Sequence, residues 1–225
     1  MGKIIELKDI NKIYGTAVKT QVLFDINLSF EEGSFNSIIG ASGSGKTTLL
    51  NIIGTLDKPT SGEVYIAGKR TDSMNKNELA ELRNETIGFV FQFHYLLPEF
   101  TAIENILMPY MIKNMKISKE IKERAEELLN IVGLQKVKNN LSNNMSGGQQ
   151  QRTAIARALM NNPKIILADE PTGNLDSEST ENIYKILRDI NEKFKTTFLI
   201  ITHDRKIAEK TDRIVEVRDG RINMI

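Results

Sequence analysis

Hydrophobic and polar positions along this chain first alternate, then run together, then settle into helical spacing. Phe24, Ile26, Leu28 and Phe30 alternate with Asp25, Asn27 and Ser29, the period-two pattern of a half-buried strand. Glu63 to Ala67, bracketed by Gly62 and Gly68, reads as another short strand. With the segment around Ile4 to Tyr14, these predict an antiparallel layer near the N-terminus. Three continuous apolar runs stand apart from it: Ser37-Ile38-Ile39, Lys164 to Ala168 and Thr197 to Ile201. Strands that do not alternate are buried on both faces, as in a parallel sheet. Each run ends in polar residues, namely Gly40 onward, Asp169-Glu170 and Thr202-His203. Ligands of open α/β sheets bind beyond the carboxyl ends of the strands. The pattern therefore predicts one site assembled from three distant segments.

The middle of the chain is helical. Ile121, Ala125, Leu128, Leu129 and Val132 recur at helical spacing, and Gly133 follows as a C-terminal cap. A second helix is predicted to start at Ser146, where Ser-Gly-Gly-Gln has the spacing of a capping box. Asp219-Gly220, between Ile214 to Val217 and Arg221-Ile222, predicts a closing hairpin.

Composition changes this picture little. With 225 residues, 40% apolar and 26% charged, the chain has the make-up of an ordinary globular domain that can bury its own core. We expect one domain over residues 1–225, with a helical subdomain at approximately 93–160. There is no cysteine, so neither disulfide nor thiol chemistry is available, which fits a reducing compartment. A formal charge of +1 leaves no global footprint for nucleic acid, and no nucleic-acid partner is expected. The N-terminus lacks the apolar run of a signal peptide, and no stretch approaches the roughly 18 apolar residues of a spanning helix. The expectation is a cytoplasmic protein that reaches a membrane only through a partner.

The chemistry starts at Gly40-Ala41-Ser42-Gly43-Ser44-Gly45-Lys46-Thr47-Thr48, which fits the phosphate-binding pattern G-x-x-x-x-G-K-[ST]. Its glycines let backbone N–H groups curl around phosphate oxygens without side-chain clash. Lys46 supplies a cation between terminal phosphates, and the Thr47 hydroxyl can ligate Mg²⁺. The helix from Thr47 to Ile53 aims the positive end of its dipole at the anion. Asp169 and Glu170 are adjacent carboxylates at a buried strand end, a costly arrangement unless a metal or a proton transfer uses them. Alternation along the strand divides them, Asp169 toward Mg²⁺ and Glu170 toward an attacking water. His203, directly after the third run, can reach a γ-phosphate and help hold that water. His94 sits in an apolar segment and reads as a packing or surface residue.

These features alone allow several NTPase classes. Met145-Ser146-Gly147-Gly148-Gln149-Gln150-Gln151-Arg152 closely resembles the LSGGQQQR signature of ATP-binding-cassette ATPases, with Met145 for the usual Leu, a swap that conserves volume. The resemblance covers almost the whole chain. It implies an α/β fold with a P-loop NTPase core, a mostly parallel sheet, an N-terminal antiparallel β layer and an inserted α-helical subdomain. It implies that Tyr14 stacks on adenine and that Gln92 touches Mg²⁺ and the water while sensing a membrane partner. Gly173-Asn174-Leu175-Asp176 resembles the D-loop and His203 the switch histidine. Two copies would sandwich two ATP molecules, each between one P-loop and the Ser146-Gly147-Gly148 of the other copy.

Within the family, Phe91 to Asn105 and Leu56 to Gly62 look most like ATP-binding subunits of the lipoprotein-release and macrolide-exporter type. The resemblance thus implies an ATPase subunit that drives an integral membrane permease, attached peripherally to the inner face of the cell membrane. The alternative is a cell-division or envelope-remodelling ATPase that signals to a membrane partner without moving cargo. A DNA-repair or structural-maintenance ATPase is disfavoured, because Thr48 to Met145 contains no sustained heptads.

Overall fold

The computed structural model describes residues 2–224. The chain opens with β1 (Lys3–Tyr14), β2 (Thr20–Glu31), β3 (Phe35–Ile39) and α1 (Lys46–Ile53). It continues through β4 (Ser61–Ile66), β5 (Lys69–Arg70), α2 (Lys76–Thr86) and β6 (Ile87–Phe91). Three helices follow, α3 (Ala102–Met111), α4 (Lys119–Ile131) and α5 (Gly147–Ala158). The last third alternates as β7 (Ile165–Asp169), α6 (Ser177–Phe194), β8 (Thr197–Ile201), α7 (Arg205–Ala208), β9 (Arg213–Arg218) and β10 (Arg221–Met224).

The strands form two sheets. One is antiparallel, in the order β2-β1-β4-β5; the other runs β10-β9-β3-β8-β7-β6 and is parallel from β9 to β6. Period-two alternation sorts the apolar runs of the parallel strands between two cores. Ile165, Leu167, Leu199 and Ile201 pack with α1 and the antiparallel sheet. Ile166, Ala168, Phe198 and Ile200 pack with α3, α4, α5 and α6. Strands β3, β7 and β8 are buried almost throughout, with Asn36 and Ser37 the buried polar residues within β3, and all three predicted runs deliver polar residues to the same end.

The antiparallel layer differs from its sequence reading in one respect. Leu23, Ile26, Leu28 and Phe30 are buried and Phe24 is only half-buried. The pairing of β1 with β2 steps from Ile10↔Ile26 to Lys12↔Leu23, so β2 carries one extra residue. Asp25 absorbs it with a left-handed φ of 47°, a bulge that puts Leu23 on the buried face in place of Phe24 before the register shifts again at Ile13↔Gln21. The side chain of Asn11 holds the kink: its Nδ2 donates to Asp25 Oδ1 at 3.0 Å and its Oδ1 accepts from Asp25 N at 3.1 Å. The predicted hairpin joins β9 to β10, with positive φ at Asp219 and Gly220, the backbone that a two-residue turn of this twist needs. Helix α4 ends at Ile131 with Val132 as its C-cap, and Gly133, directly after the cap, has the left-handed φ of 68° that turns the chain away.

Strand β6 lies at the edge of the parallel sheet against α5, and Gly88 makes that approach possible. A Cβ there would collide with the Ala158 carbonyl oxygen and lie 2.5 Å from Ile166 Cδ1. Gly88→Ala is expected to destabilise the fold by about 1–3 kcal/mol, as overpacking does. Thermal denaturation checks this, and an unchanged melting temperature would show that β6 and α5 can separate freely.

Candidate functional site

The first cleft lies where β3 passes into α1. Gly40 has φ 153°, and a Cβ there would collide with the Val217 carbonyl oxygen. Gly45, at φ 107°, is the N-cap of α1 and offers no side-chain cap. The first-turn N–H groups of α1 therefore face the cleft without a protein acceptor, the arrangement that binds anions. Ser44 Oγ is buried beside them with no hydrogen-bond partner. The Lys46 ammonium folds back over the loop and donates to the Gly40 and Ala41 carbonyl oxygens, each at 2.8 Å. The loop is braced from the far end of the chain, since Gly220 N donates to Ser44 O at 3.0 Å and Phe24 N to Gly220 O at 2.9 Å.

Facing the loop are the ends of β7 and β8. Gly40, Ser42, Gly43, Gly45, Lys46, Thr47 and Thr48 line one side of a cleft of about 490 Å³, and Asp169, Glu170 and His203 the other. Burial raises the pKa of Asp169, Glu170 adds to the rise, and Lys46 opposes it. An anionic Asp169 is thus short of positive charge, a donor set that suits a divalent cation shared with the Thr47 hydroxyl. Glu170 sits at φ 47°, a left-handed conformation that costs about 1 kcal/mol or more for a non-glycine residue. That turn directs its carboxylate to His203, with Oε2 and Nδ1 2.8 Å apart. A carboxylate held by an imidazole at the edge of an anion cleft can accept a proton from water.

Gln92 and Tyr14 do not line this cleft. Gln92, just past β6, donates from Nε2 to Asn174 Oδ1 at 3.1 Å, and Asn174 Nδ2 returns a bond to Gln92 O at 3.3 Å. Tyr14, at the end of β1, donates its hydroxyl to Asp57 Oδ2 at 2.7 Å. Desolvation, and then the bond to Asp57, raise the pKa of that phenol, while the Thr48 hydroxyl beside it opposes the rise.

Ser146, Gly147 and Gly148 form a second, separate cleft. Ser146 N-caps α5: its Oγ accepts from Gln149 N at 3.3 Å, and Gln149 Oε1 accepts from Ser146 N at 3.0 Å. Neither glycine has a side chain to cover the helix end. The cleft measures about 290 Å³ and includes Asn174, Leu175 and Asp176. It shares no lining residue with the first, so one copy of the chain brings Lys46, Asp169, Glu170 and His203 together and leaves Ser146 to Gly148 elsewhere.

Sequence reasoning gave no role to Arg157. Its guanidinium donates to the carbonyls of Tyr95 at 2.6 Å and His94 at 2.7 Å. Those residues are consecutive and both left-handed, with φ 48° and 54°. Arg157 thereby holds a strained turn that displays Phe93, 66% exposed, and Tyr95, 64% exposed. No local pattern announces a bond to a distant carbonyl.

The profile of the ABC transporter family matches residues 23–173. The lipoprotein-releasing system ATP-binding protein LolD 1 of Rhodopseudomonas palustris is 49% identical over 224 residues, 99% of either chain. Its namesake in Chlorobium chlorochromatii is 47% identical over 221 residues, 97% of this chain and 90% of that one. Among solved structures, the ATP-binding cassette MJ0796, a dimer in a post-hydrolysis state bound to ADP and Pi, superimposes with a TM-score of 0.89. It is 45% identical and covers 97% of this chain and 96% of its own. The structure of cbiO1 from Clostridium perfringens, part of the ABC transporter complex cbiONQ, gives 0.90 at 29% identity, over 100% of this chain and 88% of that one.

The strained turn has a titratable member. Burial, and then the Arg157 charge, lower the pKa of His94, so the folded chain releases this proton more readily than the unfolded chain. Below about pH 6.5, the ordinary histidine value, the unfolded state gains the proton first and stability is lost. Between pH 7.5 and 5.5 the melting temperature of His94→Gln is therefore expected to fall less than that of the unaltered protein. Parallel falls in both would show that His94 titrates alike in the two states.

Proposed function

This chain belongs to the ABC transporter family, and we propose that it is the ATP-hydrolysing subunit of a membrane complex of the lipoprotein-releasing kind. One observation carries the reading: the chain has two helix N-termini built for anions, in clefts that share no residue. A second copy completes each site, with ATP between the loop from Gly40 to Thr48 of one protomer and Ser146 to Gly148 of its partner. Bound triphosphate then joins the two copies, and its hydrolysis lets them part, a population shift driven by ligand.

In this reading Lys46 leaves the Gly40 and Ala41 carbonyls to meet the terminal phosphates. Ser44 Oγ and the bare N–H groups of α1 bind the anion, and the ring of Tyr14 stacks on adenine. Thr47, Asp169 and Gln92 would hold Mg²⁺, with Gln92 first turning away from Asn174. The metal would supply charge neutralisation for the phosphates. Glu170 takes a proton from the attacking water, and His203 orients both that carboxylate and the water.

The membrane partner lies outside this chain: among the described residues no helix is long and apolar enough to cross a membrane. We read residues 93–160 as the helical subdomain that meets it. Exposed Phe93 and Tyr95, on the turn clamped by Arg157, form the docking surface on the cytoplasmic face.

Two expected outcomes test this. Glu170→Gln is expected to bind ATP as before, to lose about 100-fold or more in turnover, and to elute as an ATP-dependent dimer. Near-normal hydrolysis would remove Glu170 from the base role. Joint replacement of Phe93 and Tyr95 by Asp is expected to leave the ATPase of the isolated chain within about twofold while abolishing recovery with the membrane fraction. Undiminished membrane recovery would move the docking surface elsewhere.

A further inference from the structure

Tyr14 is only 40% exposed, and its ring is not free to choose an orientation. Two direct contacts fix it, one from Asp57 and one from Lys12. Its hydroxyl donates to Asp57 Oδ2 at 2.7 Å. The other oxygen of that carboxylate, Oδ1, accepts from Lys12 Nζ, also at 2.7 Å. The same ammonium donates to the Lys58 carbonyl oxygen at 2.7 Å and stands 4.6 Å from the centroid of the Tyr14 ring. Lys12 is only 8% exposed, so a nearly buried cation covers one face of the ring. A base can therefore stack only on the opposite face.

Asp57 is in turn tied to the phosphate loop. The backbone N–H groups of Leu56 and Asp57 both donate to Asn51 O, at 2.8 and 3.2 Å, and Asn51 belongs to α1. Helix α1 begins at Lys46, directly after the loop. One rigid element thus carries the anion site at its start and anchors the aromatic ring at its end. A carboxylate that touched only solvent would do none of this. A carboxylate shared between a phenol and a buried ammonium defines a plane and a distance.

We infer that Lys12 and Asp57 are positioning residues that hold Tyr14 as a one-faced platform for the base, at a fixed distance from the phosphate loop. This rests on the reading that Tyr14 stacks on adenine. The base lies far from the breaking bond, so a misplaced platform weakens ground state and transition state alike, which raises KM and leaves kcat unchanged.

The experiment compares Tyr14→Phe, Asp57→Ala, their double variant and Tyr14→Ala in the full chain. Steady-state ATP hydrolysis is measured alongside calorimetric binding of inorganic tripolyphosphate, which has phosphates but no base. Tyr14→Phe and Asp57→Ala are each expected to raise KM for ATP by about threefold to tenfold, the effect of one hydrogen bond. The double variant is expected to be no worse than Asp57→Ala alone, because that change already removes the bond to the phenol along with the one to Lys12. Throughout, kcat and the Kd for tripolyphosphate stay unchanged. Tyr14→Ala is expected to raise KM by about fivefold or more, the loss of one base–aromatic stack. If Asp57→Ala weakens tripolyphosphate as much as ATP, Asp57 merely folds its loop and the inference fails. An unchanged KM in Tyr14→Phe and Asp57→Ala, with Tyr14→Ala impaired, overturns the positioning role and spares the stacking. An unchanged KM in Tyr14→Ala overturns the stacking reading and the inference with it.

Discussion

A helix that begins without a cap has backbone N–H groups that must find acceptors elsewhere, and α1 is such a helix. Among the described α-helices it alone has no side-chain cap. Asn75, Thr101, Ser118, Ser146, Asp176 and Asp204 cap the other six. At α1 that position is Gly45, at a φ of 107° that side-chain-bearing residues rarely adopt and where a Cβ would lie 2.8 Å from Leu23 Cδ2. The two buried cores, the strand ends and the bracing from the C-terminal hairpin all position that one unsatisfied terminus. Helix α5 is an intermediate case, where Ser146 caps while Gly147 and Gly148 leave the surface bare.

How much of this could be read from the residues depends on how far each interaction reaches. The continuous runs ending at Ile39, Ala168 and Ile201 are legible because a strand buried on both faces is predominantly apolar instead of alternating. The start of α5 and the turn at Asp219-Gly220 are legible because their chemistry is confined to four residues or fewer. By the same logic α2 and α3 were open to reading: Asn75 with Glu78 and Thr101 with Glu104 are capping boxes in plain view. The bulge at Asp25 was not, since the alternation around it looks regular until β1 is laid alongside. Contacts such as Gln92 with Asn174 or Arg157 with His94 join residues 82 and 63 positions apart. Neither partner carries a local mark of the other.

Helix α5 joins two regions that otherwise have little in common. Its N-terminus lines the cleft of Ser146 to Gly148, and its last turn carries Arg157, which holds the strained turn at His94 and Tyr95. A helix of 12 residues is a stiff rod of about 18 Å. Against it, at Gly88, lies β6, whose end leads to Gln92. Displacement of the turn cannot be absorbed between Arg157 and Ser146, because no glycine, proline or bulge interrupts the helix after Gly148.

The brace across the phosphate loop also has a bearing on how the molecule is made. Gly220 N bonds to Ser44 O, and Phe24 N bonds to Gly220 O, so the loop near residue 44 is held by a hairpin synthesised some 175 positions later. A ribosome extending this chain exposes the glycines and Lys46 long before the residue that locks them. The nascent chain therefore carries an unbraced loop until residue 220 has emerged. The brace forms only once the hairpin of β9 and β10 has been made and has closed on residues 24 and 44.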